Sequence, residues 1–262
     1  MESAIDYNTF TKTIMKKLFY ILLISTITLG CDSEDAPDCF KSAGSIIQEE
    51  IVVPSFDRIL IHEGVELLIK EGAVQQVIVE SGANLIDKVT VEVVNNQLIA
   101  KDNNGCNLVR DYGLTKIIVT SPNIVEIRNS SEQSVHSDGT LTYATLRLLS
   151  EDYQSSFLNI GDFYITINNT NLSITANGIS NFYIDGQTTN LNVGFFAGDS
   201  RFEGKNLLAT NVNITHKSSN DMLVNPQEKI EGDIFSLGDV RAFNQPVIVG
   251  VTEHYHGKLI FE

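Results

Sequence analysis

The apolar positions of this chain fall in short alternations, and in its second half the alternations recur at a fixed interval. Leu172-Ser173-Ile174, Leu191-Asn192-Val193 and Val212-Asn213-Ile214 start 19 and then 21 residues apart. Asp185-Gly186, Glu203-Gly204 and Asn225-Pro226 lie between them and read as turns. Leu146-Arg147-Leu148 has the same form upstream, and Val135-His136-Ser137-Asp138-Gly139 resembles Phe182-Tyr183-Ile184-Asp185-Gly186. A repeat of about 20 residues built from short strands cannot bury its inward side chains alone; stacked repeats bury them in one core and pair their backbones from one coil to the next. The pattern predicts an all-β fold with a β-solenoid of about six coils rising about 4.8 Å each. A β-sandwich of ordinary hairpins is the alternative. Asn171, Asn181, Asn190, Asn211 and Asn220 recur at turns, where amide side chains can stack in a hydrogen-bonded ladder.

Residues 51–127 alternate less regularly but still read as strand after strand. Examples are Val65-Glu66-Leu67-Leu68-Ile69, Val89-Thr90-Val91-Glu92-Val93 and Lys116-Ile117-Ile118-Val119-Thr120. Asn95-Asn96 joins two of these runs and suits a tight turn with positive φ. We therefore divide the mature chain into a strand region at 51–127, coils at 128–250 and a closing strand at 251–262, all one domain. The first and last of these are the candidates to cover the open ends of the stack.

The N-terminal pattern is different. Lys16-Lys17 precede an apolar run from Leu18 to Leu29, and Gly30-Cys31 follow. A charged start, about a dozen apolar residues and a small residue before the cut mark an export signal over residues 1–30, with Met15 as its natural start. The run is shorter than the roughly 20 residues of a membrane span. It resembles a bacterial lipoprotein signal, with Thr28 as a departure from the usual box; an ordinary signal or an uncleaved anchor is the alternative. The resemblance implies that Cys31 carries a lipid and is the first mature residue. Residues 31–50 then form an acidic tether, rich in Asp and Glu near Cys31. It resembles the acidic segments that send Bacteroidetes lipoproteins to the outer face of the outer membrane; a periplasm-facing anchor is the alternative. Cys39 and Cys106 remain. In an exported chain they are candidates for a disulfide, with two separate thiols as the alternative.

Charge narrows the partners. The net charge is −15, and loss of residues 1–30 makes it one unit more negative. Such a field repels nucleic acid, so the expected partners are a membrane, through the lipid, and a surface glycan or protein.

Phe56-Asp57-Arg58-Ile59, the unit from Val89 to Leu98, and Ile117-Ile118-Val119-Thr120-Ser121-Pro122-Asn123-Ile124 followed by a small polar stretch resemble the head GIN domain family, whose members are called auto-transporter adhesins. The resemblance covers roughly residues 50–245. Arg128 to Ser134 keeps the small polar character of the family at that point but lacks its Gly. The resemblance implies a right-handed parallel β-helix-like fold at the cell surface.

Chemistry is sparse. No phosphate-binding loop, zinc-protease motif or dinucleotide fingerprint is present in the sequence. Gly198-Asp199-Ser200 has the form of an esterase block but lacks a nearby His. His254-Tyr255-His256 would put two imidazoles on one face of a strand, without an evident third metal ligand. Asp162, Asp185, Asp199, Glu203 and Asp221, with Arg201 or Lys205, could serve a polysaccharide-cleaving β-helix, which is the alternative to a binding module. The expectation is a protein without catalytic, cofactor or metal residues that binds through an exposed face on which Tyr164, Tyr183 and Arg201 are candidates.

Overall fold

The computed structural model describes residues 15–17, 19, 38–152 and 157–262. The export signal, Cys31 and the tether up to residue 37 lie outside the described residues, apart from four positions of the signal. Among the described residues seventeen strands form one mixed sheet that curls on itself. They are β1 (Ile46–Glu50), β2 (Arg58–His62), β3 (Val65–Glu71), β4 (Gln76–Gly82), β5 (Val89–Val94), β6 (Gln97–Asp102), β7 (Thr115–Ser121), β8 (Glu126–Ser130) and β9 (Val135–Leu141). Then follow β10 (Thr145–Ser150), β11 (Phe163–Ala176), β12 (Asn181–Phe195), β13 (Arg201–His216), β14 (Met222–Ile234), β15 (Val240–Ala242), β16 (Ile248–Glu253) and β17 (Leu259–Phe261).

The repeats found in the sequence are in register. Leu172 pairs with Leu191 and Leu191 with Val212, in parallel ladders between β11, β12 and β13. These strands are longer than the alternations suggested. β12 has 15 residues, about 50 Å if straight, yet five residues connect it to β13 and can span only about 18 Å. The chain must therefore turn back within each strand, so that every long strand contributes to two walls. One wall, here wall A, stacks β6, β2, β8, β10, the second halves of β11 to β14, and β16. Wall B stacks β7, β3, β9, the first halves of β11 to β14, β15 and β17. The parallel pairing thus starts at β6 and β7, well before residue 128, and each wall has nine rungs among the described residues, six of those of wall B falling within residues 128–250, where about six coils were expected.

Asp185-Gly186 and Glu203-Gly204 are not turns between strands. They lie inside β12 and β13, where the register slips and the chain bulges. Gly186 has φ +109°, and a Cβ there would come within 2.0 Å of the Ile167 carbonyl oxygen in the rung before. Only glycine fits that close backbone approach. Asn225-Pro226 likewise falls within β14. Between the walls, inward side chains form buried columns. Leu67, Val135, Phe163, Phe182, Phe202, Met222 and Val240 align along wall B, with the Phe163 and Phe182 rings stacked at 4.7 Å. Three of the five asparagines form the expected ladder: Asn190 donates to Asn171 at 3.0 Å, and Asn211 to Asn190 at 3.1 Å. Asn181 and Asn220 instead bind Asp162 and accept from Arg201.

The N-terminal end is closed by antiparallel strands. β5 and β6 form the hairpin at Asn95-Asn96, both with positive φ, and β1 and β4 extend wall B beyond β7. Part of the segment read as tether is therefore ordered: β1 pairs along β4, and Cys39 is joined to Cys106 by a disulfide. β16 and β17 at the other end continue the parallel ladders. Among the described residues no helix is long and apolar enough to cross a membrane.

Candidate functional site

The outer sides of the two walls differ in chemistry. Wall A carries small polar residues in register, such as Ser173, Asn192 and Asn213. Wall B carries, on successive rungs, Leu68, His136, Tyr164, Tyr183, Glu203, Leu223 and Arg241. These positions alternate with the buried column, so their side chains face outward. The His136 ring stacks on Tyr164 at 4.8 Å, and Tyr164 on Tyr183 at 4.7 Å, with planes within 6° of parallel. The ring spacing equals the strand spacing, so pairing of the backbone sets the ladder. Both tyrosines remain about two-fifths exposed, at 39% and 38%. Partial burial and the nearby Asp162 carboxylate push the Tyr164 phenol above its usual range. At pH 7 Tyr164 therefore presents a neutral phenol to the ladder.

Tyr164 and Tyr183 are thus brought together as candidates of one face. Arg201 lies in the adjacent column of the same wall, but its guanidinium is engaged. It pairs with Glu203, donates to Asn220 at 3.1 Å and lies 4.0 Å from Asp221. Asp221 in turn holds Arg241 at 3.0 Å, and Arg241 pairs with Glu262 at 2.7 Å. Burial opposes ionisation of Asp221, but the Arg241 bond, the Asp239 amide and the two arginines hold its carboxyl below the usual range. His136 was not among the residues singled out from sequence. Its signal was the likeness of Val135-His136 to Phe182-Tyr183, which places the two outward rings on either side of Tyr164.

The other chemical candidates are dispersed. Ser200 of the Gly198-Asp199-Ser200 block is fully buried, and its carbonyl accepts from Ser218. His254, Tyr255 and His256 lie past the end of β16 in a bend, not on one strand face. His254 binds Asp233 at 2.7 Å and stacks on Phe235, while His256 meets the Tyr255 ring edge-on. Beyond them Gly257 lies where an added Cβ would come within 2.2 Å of the Gly238 carbonyl oxygen. The carboxylates are spread along the stack. Asp162 accepts from Asn181, Asp199 from Ser219, and Glu203 from Arg201. Among the described residues no group of three or more His, Cys, Asp or Glu is placed to hold a metal.

A stacked all-β body with one outward aromatic face defines a class of protein that displays side chains on a regular sheet. More particularly, the chain belongs to the family described as "Putative auto-transporter adhesin, head GIN domain", whose model matches residues 55–246. Solved structures share the fold. A "putative adhesin" from Bacteroides fragilis is 18% identical, with a TM-score of 0.74 over 84% of this chain and 99% of that one. A "putative lipid binding protein" from Parabacteroides distasonis is 15% identical, with a TM-score of 0.56 over 83% of this chain and 97% of that one. A "putative adhesin" from Parabacteroides merdae is 14% identical, with a TM-score of 0.54 over 83% and 97%. No curated protein matches the chain.

Proposed function

We propose that this protein is a non-catalytic binding module of the bacterial cell envelope, anchored through a lipid on Cys31 and displayed at the outer-membrane surface. On this reading the curled stack is a right-handed parallel β-helix, and its ligand is a surface glycan or protein. The observation that carries the reading is the His136–Tyr164–Tyr183 ladder, an aromatic row left partly open on an otherwise packed wall. Tyr is suited to such a role because a rigid apolar ring and a polar tip are ordered at low entropic cost. Membership of an adhesin family and the adhesin neighbours agree with it. The dispersed and internally paired carboxylates agree with a binding rather than a cleaving role.

The test is a glycan array and a cell-surface binding assay with the purified mature chain and its Tyr164→Ala/Tyr183→Ala variant. The reading expects binding that drops at least about tenfold in the variant, as loss of a central aromatic anchor does. Equal binding by both proteins removes the aromatic face from the account.

A further inference from the structure

The chain joins the stack at one place and is stapled there. Asp38–Phe40 form a single turn of 3-10 helix, and Cys39 within it is bonded to Cys106, with the two Cα atoms 4.5 Å apart. Cys106 belongs to the connection between β6 and β7, residues 103–114, at the first parallel rung. The Leu108 amide donates to the Cys39 carbonyl at 3.0 Å. Arg110 donates to the carbonyls of Asp38, Lys41 and Gly105, and Lys88 pairs with Asp38. The entry of the chain and this connection are therefore one fixed unit at the N-terminal end of the stack. The Arg110 and Lys88 cations are engaged in holding it together.

This unit presents apolar side chains to solvent. Tyr112 is 79% exposed and Leu108 68%, while Phe40, Ile46 and Val109 are each just over half exposed. Ile46 and Val109 line one shallow depression. Exposed apolar side chains gathered on a fixed loop mark an interaction surface. Asp111 stands exposed among them, which disfavours a strongly anionic partner. The length of chain before the unit says what covers it. Cys39 is eight residues from Cys31, so the two can be at most about 28 Å apart. With a lipid on Cys31, the disulfide keeps the loop within that reach of a bilayer. So short a tether raises the effective concentration of the surface to the order of millimolar. Aromatic rings with a polar tip, such as Tyr112, suit the headgroup level of a membrane.

We infer that the face made by Phe40, Ile46, Leu108, Val109 and Tyr112 enters the zwitterionic headgroup layer of the membrane that holds the Cys31 lipid, and stands the stack on it with its N-terminal end down. The inference rests on the proposed anchor at Cys31 and adds a second contact, made by the protein, with the same membrane. The lipid supplies the attachment and the face sets the orientation. So small a face does not hold the domain by itself, because stable anchoring takes two signals, and a chain without the lipid is still released. In this orientation the His136–Tyr164–Tyr183 row climbs the stack away from the membrane, where a partner can reach it.

The chain has no tryptophan, so Leu108→Trp supplies a single reporter. The full mature chain, with a hexahistidine tag in place of Cys31, is held on phosphatidylcholine vesicles that contain a nickel-chelating lipid, with and without brominated acyl chains. Val247→Trp is the control, 96% exposed beside β16 at the opposite end of the stack. Both positions are exposed, so both variants should fold. Insertion by about 5–10 Å should shift the Leu108→Trp emission to the blue and let the bromines remove roughly half of it, with the control unchanged. Adding Phe40→Ser and Val109→Ser to Leu108→Trp should cancel most of that quenching. Unshifted and unquenched emission from vesicle-bound Leu108→Trp overturns the inference. A blue shift without quenching by bromine shows that a second copy covers the face, and overturns it too. Equal quenching at both positions overturns the orientation. The tag replaces the lipid, so a Cys31 anchor that fails in cells is told apart from a face that fails on vesicles.

Discussion

His216 ends β13 with its side chain in the core, between Phe195 of the preceding rung and Ile234 of the next. It is fully buried, and neither ring nitrogen has a hydrogen-bond partner of good geometry. Loss of solvation pushes its pKa down to about 4, although the backbone at Asn220 and Gly238 and the Asp221 and Asp239 carboxylates favour the proton. An exposed histidine in the unfolded chain titrates near 6.5. Above that pH the ring is neutral in both states and stability does not depend on it. As pH falls below 6.5 the unfolded chain takes up a proton that the folded chain refuses, so stability declines until about pH 4. The gap of roughly 2.5 units corresponds to about 3 kcal/mol. The assay is urea unfolding from pH 7.5 to 4.5 of the wild type and His216→Leu. Carboxylates such as Asp221 also lose their contribution on acidification, but they do so in both proteins, so the difference isolates His216. The two proteins should differ by a constant amount above pH 6.5, and below it the wild type should lose stability relative to the variant. Removal of an unpaired polar ring also predicts that the variant gives up little at pH 7. Parallel curves over the whole range, or an imidazole NMR titration of His216 near 6.5, would refute the reasoning.

Three further perturbations test the fold. Gly186→Ala places a Cβ against the Ile167 carbonyl at positive φ and should cost about 2–4 kcal/mol in chemical denaturation. Asn190→Ala interrupts the amide ladder between Asn171 and Asn211 and should cost about 1–2 kcal/mol by the same measurement. Reduction of the Cys39–Cys106 bond, which closes a 67-residue separation, should lower stability by up to about 4 kcal/mol; a redox-insensitive melting midpoint would show that the bond constrains nothing.

The repeat was legible because stacking forces like residues into one column. Leu172, Leu191 and Val212 are equivalent in sequence since they fill the same inward position on successive rungs. The Asn95-Asn96 hairpin was legible from its turn chemistry, and the cysteine pair from reading residues 1–30 as an export signal. Two of the three corners, Asp185-Gly186 and Glu203-Gly204, were misread for one reason. A glycine after Asp or Glu usually marks a chain reversal, but in a stack it also marks a bulge where two backbones approach, as at Gly186. The early strands hid their place in the stack because their parallel partners are remote. β2 meets β8 at a separation of 68 residues, far beyond any local period. The face was half legible: the two tyrosines were visible, but Arg201 had the look of a free cation until its three partners were in place.

The central claim is display at the cell surface through a lipid on Cys31. It is tested most directly by adding protease outside intact bacteria that express the chain, and following the protein alongside its Cys31→Ser variant. The account predicts that the wild type is membrane-bound and is cleaved or labelled from outside, and that the variant is released from the membrane fraction. Wild-type protein that stays protected in intact cells, or a variant that remains membrane-bound, contradicts it.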